Sequence, residues 1–138
     1  MKKQNVIIIL NKNEDKILMC KREKEPYKGL YNLVGGKLEK NENELAGAYR
    51  ELAEETGITA EDTILYHMMD YKYYIEDMEL QVFIGKLNRE KELVEEINKL
   101  EWIESKENFF DSSKFAGEGN IGHMVEEVYK NKESIWKK

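Results

Sequence analysis

Between Gly36 and Ile58 the chain reads GKLEKNENELAGAYRELAEETGI, and its glutamates are spaced to share a surface. Wound as a helix at about 100° per residue, with Glu51 at zero, Glu54 falls at about −60° and Glu55 at about +40°. Glu44 joins them at about +20° and Gly47 at about −40°, while Ala48, Leu52, Leu45 and Tyr49 occupy about +60° to +160°. The spacing predicts a helix from Asn43 to Thr56, stopped by Gly57, with an apolar stripe beside an acidic one. A carboxylate face of this kind can take a hard cation or handle a proton; it is also what a solvated helix surface looks like.

The whole string separates those readings. Gly36, Glu42, Arg50, Glu51, Leu52, Glu54, Glu55, Gly57 and Ile58 follow one spacing: Gly, five residues, Glu, seven residues, Arg-Glu, an aliphatic residue, any residue, Glu-Glu, any residue, Gly, an aliphatic residue. Chance would fill every fixed position on the order of once in a million such chains. The segment resembles the Nudix box, here residues 36–58. The resemblance extends over most of the chain: a first hairpin, Lys21-Arg22, GLYNLVGGK, the box, a second hairpin and a late Trp stand in the family's order. Tyr31 and Val34 stand where relatives often carry Trp and Pro, and Lys40-Asn41 where they often carry Pro-Gly. Asn tolerates the left-handed backbone nearly as Gly does, so these departures bear on subfamily more than on catalysis.

The resemblance implies an α/β fold, the Nudix α/β/α sandwich with a mixed β-sheet, and water attack at phosphorus of a diphosphate joined to another moiety, with Mg²⁺ or Mn²⁺ as cofactor. Charge points the same way, since a pyrophosphate facing several carboxylates is repelled unless hard cations bridge the two. Glu51, Glu54 and Glu55 are the implied metal ligands, one of them or a nearby carboxylate orienting or deprotonating the water. Gly36 is expected to offer its carbonyl to the metal, and Gly35-Gly36 to permit close phosphate approach. Glu96 resembles the position from which relatives supply another metal ligand or base; Glu95 competes with it, and either reads equally as a charged loop residue.

Arg50 is expected to orient Glu51 or Glu42, and Glu42 to brace the loop and helix start. Asn43 is the expected N-cap, with Asn41 as alternative. Lys37 and Arg22 are candidates to hold phosphate, or ribose for Arg22, and read otherwise as surface cations. Asn120 is a candidate contact to a purine edge, because its amide donates and accepts. The competing reading makes Asn120 the N-cap of the last helix and Phe109, Phe110 and Phe115 ordinary packing. His67 and His123 have no partner motif.

The expected substrate is a nucleoside triphosphate, including oxidised purine forms, hydrolysed to monophosphate and pyrophosphate. The alternatives are dinucleoside polyphosphates, for which Tyr74 is a cue although Tyr73 and Tyr74 suit an ordinary strand, ADP-sugars, or a nucleotide-sensing module without turnover. Such modules usually lose box glutamates, and all four are present here. Isoprenoid diphosphate isomerisation lacks support from any Cys near the site.

The elements that must position these residues are short. Val6 to Leu10 and Ile17 to Cys20 read as strands closed by the polar turn NKNED, and Leu30 to Val34 as a third. Thr63 to Ile75 and Met78 to Lys86 read as a second hairpin turned at Glu76-Asp77. A charged connection, NREKELVEEINK, leads to a brief strand at Leu100 and Trp102. Ile121, Met124, Val125, Val128 and Tyr129 then give one apolar face of a terminal helix.

With 138 residues, 41% of them hydrophobic, the chain is expected to form a single domain over 1–138. Its 22 Lys+Arg against 28 Asp+Glu leave a net charge of −6, which argues against broad capture of nucleic acid or of an anionic membrane. The expected partner is a small-molecule nucleotide, bound by a monomer or homodimer. Cys20 is the sole cysteine, which fits a reducing cytoplasm. The apolar run Val6–Leu10 is shorter than the roughly 7 to 15 residues of a secretory core, and no stretch reaches membrane-spanning length.

Overall fold

A computed structural model describes residues 1–96 and 98–138; Ile97, within the charged connection 88–99, lies outside the described residues. The sheet contains β1 (Lys2–Leu10), β2 (Lys16–Lys21), β3 (Tyr31–Asn32), β4 (Tyr66–Tyr73), β5 (Met78–Lys86) and β6 (Lys99–Glu104). Its order is β3-β2-β1-β5-β4, with β6 also paired to β2. β1 and β5 run parallel from Lys2↔Met78 to Leu10↔Lys86, and the remaining pairs are antiparallel, so the sheet is mixed. The parallel ladder also explains why β1 reaches back past its apolar run to Lys2: backbone groups there are paired although the side chains are polar.

The layers follow from period-two alternation. Ile7 and Ile9 of β1, Leu18 and Cys20 of β2 and Phe83 of β5 point to one face, where Ala48 and Leu52 of α1 (Glu44–Thr56) cover them. Ile8, Leu10, Ile17, Met19, Val82 and Ile84 point to the other, beneath Ile121, Met124, Val125 and Val128 of α2 (Asn120–Trp136). The result is the expected α/β/α sandwich.

Two strands are shorter than the sequence pattern predicts. The run Leu30–Val34 keeps only Tyr31–Asn32 as β3, because Val34 and Lys37 leave β2 and bridge to Ile7 and Gln4 of β1. Thr63–Ile75 contributes only Tyr66–Tyr73, since Thr63 makes an isolated bridge to Leu87 and Tyr74 and Ile75 form the exposed hairpin tip. A bulge between His67 and Met69 shifts the register of β4 against β5. It lets His67 and Asp70 meet on the α1 face, with Nε2 and Oδ1 2.5 Å apart, and His67 stack on Phe83. Tyr71, past the bulge, packs against the α2-side core. His123 lies in the first turn of α2, beside Tyr71.

The far end of α2 is fastened to the first hairpin through Glu14. Lys132 Nζ, Trp136 Nε1 and Lys86 Nζ lie 2.8, 3.1 and 3.2 Å from its carboxylate, and the Tyr129 hydroxyl donates to its backbone carbonyl at 2.8 Å. Burial alone would raise the Glu14 carboxyl; the hydrogen bonds from Lys132, Trp136 and Lys86 outweigh it and bring it down to about 2 from 4.5. The charged form is therefore favoured in the fold, and the stabilisation is present above about pH 4.5 and lost as pH falls towards 2. Allowing for the exposure of Lys86, Glu14→Gln is expected to cost about 2 kcal/mol at neutral pH. Denaturant unfolding of both proteins from pH 7 to pH 2 checks it: the gap should close with acid, and a pH-independent gap would refute this account.

Candidate functional site

The box folds as loop, helix and turn. Asn43 caps α1, its side chain accepting the Ala46 N–H at 3.0 Å, and Asn41 occupies the left-handed region at φ 64°. Gly57 ends the helix in the same region, its N–H donating to the Ala53 carbonyl. The gap at Gly47 in the acidic stripe is filled from outside: an added Cβ would lie 2.5 Å from Leu38 Cδ1 and 2.9 Å from Glu42 Oε1.

Arg50 ties these parts together. Its Nε and Nη2 donate to the two oxygens of Glu42 at 2.6 and 3.0 Å, a two-pronged pair, and Nη2 also donates to the Lys37 carbonyl at 3.1 Å. Nη1 reaches Glu51 at 3.0 Å and Glu54 at 3.2 Å. Arg50 thus orients Glu51 and Glu42 together, as well as Glu54. Glu42 also accepts the Glu39 N–H at 3.0 Å, so it braces the loop before the helix.

The Gly35-Gly36 turn lies against the acidic face. A Cβ on Gly36 would stand 2.5 Å from the Glu51 carboxylate, and the Gly35 N–H donates to Glu55 at 3.4 Å. On the sheet side the turn is zipped to β1: Gly36 N–H donates to the Asn5 side chain at 3.1 Å, and its carbonyl accepts the Asn5 N–H at 2.8 Å. One lone pair of the Gly36 carbonyl is therefore committed to the sheet, whereas no backbone donor among the described residues engages the Gly35 carbonyl. Burial pushes the Glu55 carboxyl up to about 7; the Gly35 N–H opposes this and the neighbouring Glu51 charge adds to it.

These donors fit a hard divalent cation in kind: they are carboxylate and carbonyl oxygens, crowded with like charge and adjoining a turn that has no side chain of its own. Among the described residues, however, no three acidic, His or Cys side chains converge into a closed cage. The reason lies in the side-chain directions: the Arg50 guanidinium draws Glu51 and Glu54 to itself while Glu55 turns to Gly35. Glu96 is exposed at a bend, and Glu95 instead accepts the Leu100 N–H at 2.7 Å, so the structure does not join either to the other three carboxylates.

A cleft runs from this turn to the start of α2. Its first part, a cavity of about 520 Å³, is lined by Gly35, Gly36 and Glu55 together with Arg22, Lys37 and Asn98. The second, of about 340 Å³, reaches Tyr73, Met78, Leu80, Met124 and Asn120. Gln4, Val6, Tyr27, Asn32 and Leu33 line both, so the two are continuous. Arg22 and Lys37 thus share the carboxylate end, and Asn120 stands at the other. Asn120 is the first residue of α2, behind Gly119, and the helix has no side-chain cap; its Nδ2 donates to the Tyr73 hydroxyl at 3.1 Å. That removes the capping reading of Asn120. Phe109 and Phe115 pack in the core.

Asn32, Asn98, Tyr27 and Tyr73 line the cleft but carry no motif, and only the strand positions of Asn32 and Tyr73 were visible in the sequence. Cys20 also lines it, which corrects the expected absence of a cysteine near the site. Burial, then the nearby Glu55 charge, pushes its thiol up to about 11, so it stays protonated.

The two glycines differ in what they tolerate. Gly35 has φ 144°, and a Cβ there would meet the Asn5 backbone oxygen at 2.2 Å, whereas the obstacle at Gly36 is the movable end of Glu51. Gly35→Ala is expected to destabilise by about 2 kcal/mol or more. Gly36→Ala should keep near-normal melting while displacing Glu51. Thermal melts and turnover of the two variants, compared side by side, check this; equal melting would refute it.

Comparison with known proteins agrees with this architecture. A family model described as NUDIX domain matches residues 1–124. None of the curated proteins compared matches the chain. Among solved structures, the fold is similar to a MutT studied from Aliivibrio salmonicida and Vibrio cholerae, at TM-score 0.72 and 21% identity over 92% of this chain and 95% of that one. It is similar to a Caenorhabditis elegans Ap4A hydrolase at TM-score 0.77 and 19% identity, over 97% of this chain and 99% of that one. The NUDIX domain of Shewanella oneidensis NrtR, solved with ADP ribose, matches at TM-score 0.71 and 14% identity, over 94% of this chain and 86% of that one. At such identities the structures establish the fold and the family model establishes descent: a chain whose sequence fits that model over most of its length, and which folds its box against a mixed sheet between two helices, belongs to the Nudix hydrolase family.

Proposed function

We propose that this chain is a Mg²⁺- or Mn²⁺-dependent pyrophosphohydrolase that cleaves a nucleoside triphosphate, including oxidised purine forms, to nucleoside monophosphate and pyrophosphate. The observation that carries this reading is the continuous cleft. One end holds Glu55, two cations and a glycine turn; the other sets Asn120 among aromatic and aliphatic side chains and, among the described residues, is lined by no Lys or Arg. That polarity matches a molecule with a polyphosphate at one end and a base at the other.

Glu51, Glu54 and Glu55 would hold the cation, with the remaining lone pair of the Gly36 carbonyl or the adjoining Gly35 carbonyl as a neutral ligand, and Glu96 as a further one. When bound, a divalent cation screens the charge of the polyphosphate and polarises the bond under attack. Arg22 and Lys37 face phosphate oxygens across the same cavity. Arg50 keeps Glu51 and Glu54 aimed along one line, and the Glu55 oxygen not facing Gly35 takes the proton from water. At the far end, Asn120 meets the base edge through its amide oxygen. Glu76 and Glu118 lie beside it, which disfavours an anionic group at this end and leaves the polyphosphate to the end that holds Arg22 and Lys37. Tyr74 is exposed at the hairpin tip and outside the cleft lining, so it adds no support for a dinucleoside polyphosphate.

Two outcomes test this. In magnesium, Glu54→Gln and Glu55→Gln should each lower turnover of a nucleoside triphosphate panel by orders of magnitude while melting near the parent, with monophosphate and pyrophosphate as the wild-type products. Near-normal rates in both variants would overturn the assignment. Asn120→Ala should raise KM for the preferred nucleotide about tenfold and flatten the preference, because a base edge loses its partner. Its thermal stability should barely change, since the side chain caps nothing; an equal rate loss on all nucleotides would refute base contact.

A further inference from the structure

Tyr27 stands out by its backbone. It holds φ 67°, a region that costs a residue with a Cβ roughly 1–2 kcal/mol and that bulky side chains rarely occupy. Such strain persists only where the surrounding structure imposes it. Here the loop 22–30 is closed on Arg22: its N–H donates to the Leu30 carbonyl, its carbonyl accepts from Gly29, and its Nε donates to the Pro26 carbonyl at 3.2 Å. The Leu30 N–H in turn donates to the Tyr27 carbonyl at 2.9 Å.

The same residue lines both cavities, beside Arg22 and Gly35 on one side and Tyr73 and Asn120 on the other. The strained backbone therefore delivers an aromatic ring to the junction between the phosphate end and the amide end. The loop that does so is the loop that fixes Arg22. A packing role would not call for this conformation, because the core clusters do not include Tyr27 and the residue is only half-buried.

We propose that Tyr27 is a substrate-binding residue that stacks on the nucleoside, fixing the base towards Tyr73 and Asn120 while Arg22, on the same loop, meets the phosphates. Ring stacking tolerates any base, so Tyr27 supplies affinity for nucleosides in general, and Asn120 supplies the choice among them. This inference rests on the nucleotide reading of the cleft, and its test separates the two.

Binding of the α,β-methylene analogues of the four ribonucleoside triphosphates, which the proposed cleavage to monophosphate and pyrophosphate cannot break, and of inorganic tripolyphosphate, is to be measured by calorimetry in magnesium for wild type, Tyr27→Phe and Tyr27→Asn. Asn accepts positive φ and removes the ring. Tyr27→Asn should lose about tenfold in affinity for every nucleotide, keep its affinity for tripolyphosphate, and melt no lower than wild type. Tyr27→Phe should bind as wild type does. Nucleotide affinity unchanged in Tyr27→Asn, parallel loss for tripolyphosphate, a lower melting temperature, or wild-type nucleotide binding no tighter than tripolyphosphate would each overturn the proposal. Tyr27-dependent binding of the analogues, with no hydrolysis of the parent triphosphates in magnesium, would instead refute the hydrolase reading and leave Tyr27 in place.

Discussion

Glutamates crowded on one turn of a helix repel one another, and a single guanidinium makes the arrangement possible. Like charges a few ångströms apart cost about 1 kcal/mol in water and several at a protein surface, more than an isolated short helix can offset. Arg50 answers with five hydrogen bonds that reach Glu42, Glu51, Glu54 and the Lys37 backbone. Because Glu42 and Lys37 belong to the loop and Glu51 and Glu54 to the helix, the same contacts fix how α1 leaves the glycine turn. Lysine, with a point charge, could not span both. The orientation of α1, and through it the burial of Ala48 and Leu52 on the sheet, depends on that fork.

The glycine turn has a matching constraint from the other side. β1 and β2 pair only at Leu10↔Ile17, so the chain from Val34 to Lys37 takes up the rest of that edge of β1, opposite the β5 edge. Asn5 seals that contact with backbone and side chain, pressing Gly35 against its own carbonyl so closely that no Cβ fits. Sheet closure and the seating of the acidic helix face thus draw on the same pair of glycines, one needed for the sheet and the other for the carboxylate above it.

The box and the layers were legible because both rest on short-range periodicity: the helix face from Glu44 to Glu55, and the odd-even alternation of β1, β2 and β5. What escaped depended on events that periodicity does not encode. The bulge after His67 changes which side of β4 each later residue serves, and Tyr73 past it ends within reach of Asn120. Asn120 itself matched a capping residue in type and place, but the left-handed Gly119 ahead of it left no role for a side-chain cap. Asn32 of β3 meets Asn98 and Tyr27, from two separate loops, only in the tertiary structure. The expected grouping of Glu96 with the other glutamates, which the structure does not show, came from likeness to relatives and not from local pattern.

The two ends of α2 are secured unequally. Near its last turns Glu14 is gripped by three side chains and its carbonyl by Tyr129, while the first turn follows Gly119 with no side chain on its free N–H groups. Helix opening is therefore graded along its length, cheapest where it borders the cleft and dearest where it meets the β1–β2 hairpin. Amide hydrogens around Ile121 to Met124 exchange through small local openings, and those around Tyr129 to Ile135 only through larger ones. A guest in the cleft that engages Asn120 supplies the first turn with the restraint its own sequence omits, so occupancy is recorded as slowed exchange at the start of α2.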